Sequence, residues 1–145
     1  MSDVKIFKNS SKKSFEVFLE DLAKAIEAEG FSIYHRDKAD LVGFYRDLGV
    51  AMPEGYQHVM IQICRPEMSG KSLPVNPERS LFLHKYFFVY SKGETTEIRF
   101  LGFSAKLLGD LLGHNEFEQG PSDDFFAERL EDVFETMDKI VKAAI

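Results

Sequence analysis

The sequence predicts an α+β domain: a mainly antiparallel sheet of four to five strands with helices laid on one face. Three observations predict it. Apolar residues recur at helical spacing near both ends of the chain, and between those stretches they alternate at period two or run on continuously. The resulting order, strand, helix, several strands, helix, gathers the strands into one sheet and leaves the helices to cover it. With 145 residues, 44% of them hydrophobic, and no repeat, linker or low-complexity tract, residues 1–145 make a single domain with its own core.

Taken in order, Val4–Phe7 is a short strand. Ser14 is placed to N-cap a helix whose apolar positions Phe15, Phe18, Leu19, Leu22 and Ile26 share one face, and Gly30 is placed to end it. Phe31–His35 alternates as a strand. A short helix from Asp40 to Leu48 carries Leu41, Phe44, Tyr45 and Leu48 on one face, with Gly49 as its stop, and Met52–Gly55 is a turn. Residues 57–64 form a strand with Val59, Ile61 and Ile63 on one side and His58, Met60, Gln62 and Cys64 on the other. Gly70, Pro74 and Pro77 break the stretch after Pro66 into a helical turn and a loop. Leu81–Tyr90 is the most apolar strand, Ser91–Glu94 a hairpin turn and Thr96–Phe103 the antiparallel partner. Ser104 caps a short helix through Leu112, and His114–Pro121 is a polar, mobile segment. The chain closes with an amphipathic helix from Asp123 to Ala144 carrying Phe126, Leu130, Val133, Phe134, Met137 and Val141.

The strand Leu81–Tyr90 is apolar on both sides. Leu81, Leu83, Phe87 and Val89 alternate with Phe82, Tyr86, Phe88 and Tyr90, whereas a solvated sheet face alternates with polar residues. Helices cover one face, so the second face needs its own cover: a partner subunit, a bound apolar ligand, or further helices of the same chain.

Composition excludes several function classes. The net charge is −6 and basic residues are scattered, which argues against nucleic acid and against an anionic membrane surface. No window approaches the ~18 apolar residues of a membrane span. Met1–Lys5 lacks the basic start and apolar run of a signal peptide, and the single cysteine forms no internal disulfide, so a reduced, cytoplasmic setting is expected.

Candidate chemistry centres on Cys64. It is the lone thiol, Arg65 beside it favours thiolate, and His84 or His58 are candidate bases; the alternative is a cysteine acting as a small buried hydrophobe. His58 and Cys64 lie roughly 20 Å apart along one strand, and no paired-histidine spacing exists, so neither a metal nor any other cofactor is expected. Lys85 interrupts an apolar strand. It is either an edge lysine that blocks aggregation, which is the preferred reading, or a polar point in a pocket suited to an anion. Gly70-Lys71-Ser72 matches only the tail of a phosphate-binding loop, because Arg65 stands where the first glycine belongs. The acidic runs Glu116–Glu118, Asp123-Asp124 and Glu128–Glu135 are solvated helix and loop faces, and the Asp pair also suits a helix N-terminus.

Glu29-Gly30-Phe31, Leu48-Gly49, Cys64-x-Pro66, Met68-Ser69, Leu73, Pro77 and Leu81-Phe82-Leu83 together resemble the bacterial and archaeal family of domain of unknown function 302. The resemblance runs from about Phe15 to the last helix. It implies a β-α-β4-α arrangement reminiscent of the TATA-binding-protein fold, often a dimer, and no assigned activity. The chain departs from the family at His84-Lys85, where members commonly show Pro-Cys, so a site built on two cysteines is absent or altered to Cys64 with His84 or Lys85. The two-faced apolar strands and the lack of a complete catalytic constellation make the expected function a non-enzymatic homodimeric binding or accessory module. Its aromatic sheet face or pocket would serve either dimerisation or the holding of a small apolar or aromatic ligand, with Cys64, Arg65, His84, Lys85, Tyr86 and Phe88 as the candidate binding residues. The alternative is a thiol-dependent redox factor or enzyme acting through Cys64 and His84.

Overall fold

In the computed structural model, which describes residues 3–145, five strands form one sheet. Met1 and Ser2, part of the N-terminal stretch weighed above, lie outside the described residues. The strands are β1 (Val4–Ser11), β2 (Ser32–Tyr34), β3 (His58–Cys64), β4 (Lys85–Lys92) and β5 (Thr95–Phe103). Their order is β1-β5-β4-β3-β2, and every neighbouring pair is antiparallel. The β4–β5 hairpin closes through Gly93, whose φ of 58° suits the first position of a two-residue loop.

Six helices accompany the sheet: α1 (Phe15–Ala28), α2 (Leu41–Asp47), α3 (Pro66–Ser72), α4 (Ser80–Leu83), α5 (Ala105–Leu112) and α6 (Asp123–Ala144). The Oγ atoms of Ser14, Ser104 and Ser122 cap α1, α5 and α6 by accepting from the backbone N–H three residues on. Helix α1 ends as anticipated at Gly30, φ 83°, where the N–H of Phe31 reaches the carbonyl of Ile26 and that of Gly30 reaches Glu27. Phe18, Leu22 and Ile26 of α1 and Met137, Ile140 and Val141 of α6 bury fully against Ile63, Phe87, Val89, Ile98 and Phe100 of the sheet. Burying each such side chain stabilises the fold by about 1.5–3 kcal/mol.

Four expectations are corrected. β1 runs on to Ser11, because its whole length pairs with β5. The stretch Leu81–His84 is not strand: Asn76 caps a helical turn with Pro77 in its first position, and the chain stays helical through Leu83. The expected apolar face of α2 points outward, with Phe44 54% and Leu48 66% exposed, while Val42 is the buried residue. This short helix sits where Ala39 and Asp40 meet β3, and only one side of it is covered. Finally, Lys85 is no edge lysine, since β4 lies between β3 and β5 at the centre of the sheet.

The polar segment before α6, expected to be mobile, is tied down by a buried ion pair. Arg79 and Asp123 are both wholly buried, which corrects the reading of Asp123 as a solvated residue: Asp123 Oδ1 accepts from Arg79 Nε (3.2 Å) and Nη2 (3.1 Å) and from Asn76 Nδ2 (3.0 Å). Its Oδ2 accepts from the N–H and the side-chain amide of Asn115, both at 3.0 Å. Arg79 also donates to the carbonyl of Pro121 (2.8 Å) and to Ser72 Oγ (3.1 Å), with Phe117 and Phe126 rings against its guanidinium. Burial alone raises the Asp123 pKa, but these donors outweigh it and hold the carboxyl below its ordinary value. His114, in the left-handed region at φ 54°, adds a surface clasp by bonding Asp110 (2.7 Å) and Asp124 (2.6 Å).

The second face of the sheet carries no helical layer like that on the first. Val4, Ile6 and Leu101 are 43%, 55% and 50% exposed, and Tyr86, Phe88 and Tyr90 are half-buried among their neighbours. Glu97 sits there too, held by the hydroxyls of Ser10 and Thr95 and by Arg99. Of the chain's own helices, α4 reaches this side at one end, where Phe82 meets Phe103.

Candidate functional site

Lys85 opens β4 in the same alternation that buries Phe87 and Val89, opposite Ile63 of β3. Only 9% exposed, it donates through Nζ to the carbonyl of Leu83 (3.0 Å), which α4 leaves free at its end. Among the described residues no carboxylate lies within ion-pairing distance of it. Burial lowers its pKa; the nearby Cys64 opposes that shift and the charge of Arg65 adds to it.

Lys85 lines a cleft of about 410 Å³ between α3 and the first half of α6. The walls are apolar or aromatic, with Phe31, Met68, Leu83, Phe125 and Leu130 among them. Three cations, Arg65, Lys85 and Arg129, line it against one carboxylate, Asp132. Arg65 is held in place by donating to the carbonyl of Glu29 (2.7 Å) while its guanidinium lies 4.0 Å from the Phe31 ring centre. This size and lining suit a small molecule with an apolar body and an anionic group.

A second cavity of about 230 Å³ meets the first at Lys85 and includes His84, Tyr86 and Phe88. It exists because β4 and β5 pair only from Phe88–Arg99 to Lys92–Thr95, so their other ends splay. Phe82 and Phe103 partly fill the gap, 6.0 Å between ring centres.

The anticipated site residues therefore divide. Arg65 and Lys85 meet in the larger cleft, and His84, Lys85, Tyr86 and Phe88 surround the smaller one. Cys64 is half-buried and lines neither; its Sγ lies 3.0 Å from Ser69 Oγ. His84 Nδ1 faces the side-chain amide of Gln62 at 2.9 Å, and no hydrogen bond joins it to Cys64 among the described residues. The other candidate base, His58, lies beside Tyr56, and burial lowers its pKa. Residues missed from sequence were those of the helix surfaces: Ser69, Phe125, Arg129 and Asp132. Phe125 offered a signal, because it falls off the apolar stripe of α6. Arg129 and Asp132 were hidden in an acidic run read as solvated.

No helix among the described residues is long and apolar enough to cross a membrane. No family model and no curated protein matches the sequence. Among solved structures the chain is similar to the uncharacterized conserved protein DUF302 from Bacillus stearothermophilus, with a TM-score of 0.72 over 97% of this chain and 98% of that one. The two are 15% identical, so the likeness is one of fold. What the residues from Glu29 to Leu83 suggested therefore holds at the level of architecture: this chain is an α+β domain with the fold of domain of unknown function 302.

Proposed function

We propose that this chain is a binding module for a small organic anion with an apolar body, seated in the cleft between α3 and α6. The observation that carries this reading is the charge of the cleft: Arg65, Lys85 and Arg129 against Asp132 alone, on a chain whose net charge is −6. A surface so acidic repels anions in general, so a positive, aromatic-walled recess favours those whose apolar part also fits. Phenylacetate is a fair probe. At a hundredfold excess over its Kd, one site adds about 2.7 kcal/mol of stability, which is a rise in Tm of roughly 5–10 °C. Phenylacetamide, which lacks the charge, is expected to give a much smaller rise, as is phenylacetate with Arg129→Glu. Equal shifts for acid and amide overturn the reading.

A second reading concerns the open sheet face, and Val4, Ile6 and Leu101 favour it by standing exposed beside half-buried Phe88. We propose that a second copy of the chain covers this face, since contiguous exposed apolar residues on a sheet mark an interaction surface. Light scattering is expected to give a dimer, and Leu101→Asp a monomer with an unchanged fold by circular dichroism. A monomeric wild-type chain at micromolar concentration removes the proposal.

A further inference from the structure

Within the cleft, Lys85 is out of keeping with simple charge recognition. It lies buried at the sheet centre with a carbonyl as its hydrogen-bond partner and no carboxylate within ion-pairing distance among the described residues. Arg65, a second cation, lines the same cleft. Burial at the sheet centre makes the neutral form of this amine easier to reach than that of a surface lysine, and a primary amine that reaches it in an apolar recess is a nucleophile toward carbonyl carbon. The two arginines that line the cleft offer guanidinium N–H donors to an acid group.

Resting on the proposed anion-binding function, we infer that the ligand is an oxo acid and that Lys85 condenses with its carbonyl to form an imine. The acid group lies at Arg65 or Arg129 and the apolar body along Phe31, Phe125 and Leu130. In the step itself, the Nζ lone pair adds to the carbonyl carbon and the C=O π pair moves to oxygen. A proton passes from nitrogen to that oxygen, giving a carbinolamine. Loss of the hydroxyl as water, with a second proton from nitrogen, leaves the C=N bond. Amine and carbonyl give imine and water, with no change of oxidation state.

The test uses the full chain with phenylpyruvate and cyanoborohydride, which reduces an imine to a stable secondary amine. Intact mass is expected to rise by one probe less one oxygen, and peptide mapping to place the adduct on Lys85. Trapping is expected to be at least tenfold faster at Lys85 than at surface lysines, and to vanish in both Lys85→Arg and Lys85→Met. Phenyllactate, which has the acid but no carbonyl, should slow trapping by competition. A Tm rise with phenylpyruvate but no adduct at Lys85, or adducts spread evenly over the lysines, overturns the imine and leaves anion binding standing. If neither phenylpyruvate nor phenyllactate shifts the Tm and no adduct forms, both readings fall.

Discussion

Asp123→Ala is expected to lower the free energy of unfolding by about 3–5 kcal/mol, a large part of the 5–15 kcal/mol available to a domain. The reason is what it leaves behind: Arg79 wholly buried with its main counter-charge gone, and the N–H and side-chain amides of Asn115 and Asn76 deprived of their acceptor. Chemical denaturation reads this as a fall in midpoint at unchanged m-value. Asp123→Asn keeps the shape but not the charge and is expected to lose nearly as much. Replacing both partners, Arg79→Met with Asp123→Leu, should recover most of the loss, because no buried charge is then left alone. A loss below about 1 kcal/mol in the single variant overturns this account, since that is the range of exposed ion pairs. The pH dependence has a fixed sign. The Asp123 pKa is held low in the fold, so its contribution is present above the ordinary carboxylate range and is lost as pH falls through the folded value. Wild type and Asp123→Asn should therefore converge in acid.

Lys85→Met is expected to act in the opposite direction, raising stability while abolishing imine trapping. Methionine keeps the length and apolar stem of the side chain, loses one hydrogen bond to Leu83, worth about 1 kcal/mol, and removes the burial of an unpaired amine. Here the folded pKa lies below the unfolded one. The destabilisation is fully present below the folded value and fades as pH rises toward the ordinary lysine value of about 10.4. The gap in Tm between the variant and wild type should thus narrow in alkali. A variant less stable than wild type at neutral pH overturns the view that this lysine is kept for function at the expense of stability.

The strands and long helices were legible because they are ruled by periodicity and by short-range capping. Ser14, Gly30, Ser104 and the stripe of α6 each act over a few residues, and the pattern there is sufficient. The start of β4 was not legible. Leu81-Phe82-Leu83 is apolar enough for a strand, and its helical turn is decided by Asn76 and Pro77, several residues upstream. Sheet order was equally hidden, and with it the position of Lys85: edge and centre differ only in long-range pairing. The same holds for the pairing of Arg79 with Asp123, 44 residues apart, which made the segment before α6 look loose when it is pinned. Of the candidate site, the sequence pointed to Arg65 and Lys85 through neighbouring residues. The other wall of the cleft comes from α6, which nothing local connects to them.

The guanidinium of Arg79 has a consequence for the cleft that it does not line. One of its nitrogens holds Ser72, the last residue of α3, and another holds Pro121 and Asp123 at the start of α6. The two walls of the cleft are thus tied together at one end by a single planar group. Under the proposed anion-binding function, a guest would meet a width already set at that end and would lose less affinity to ordering the host.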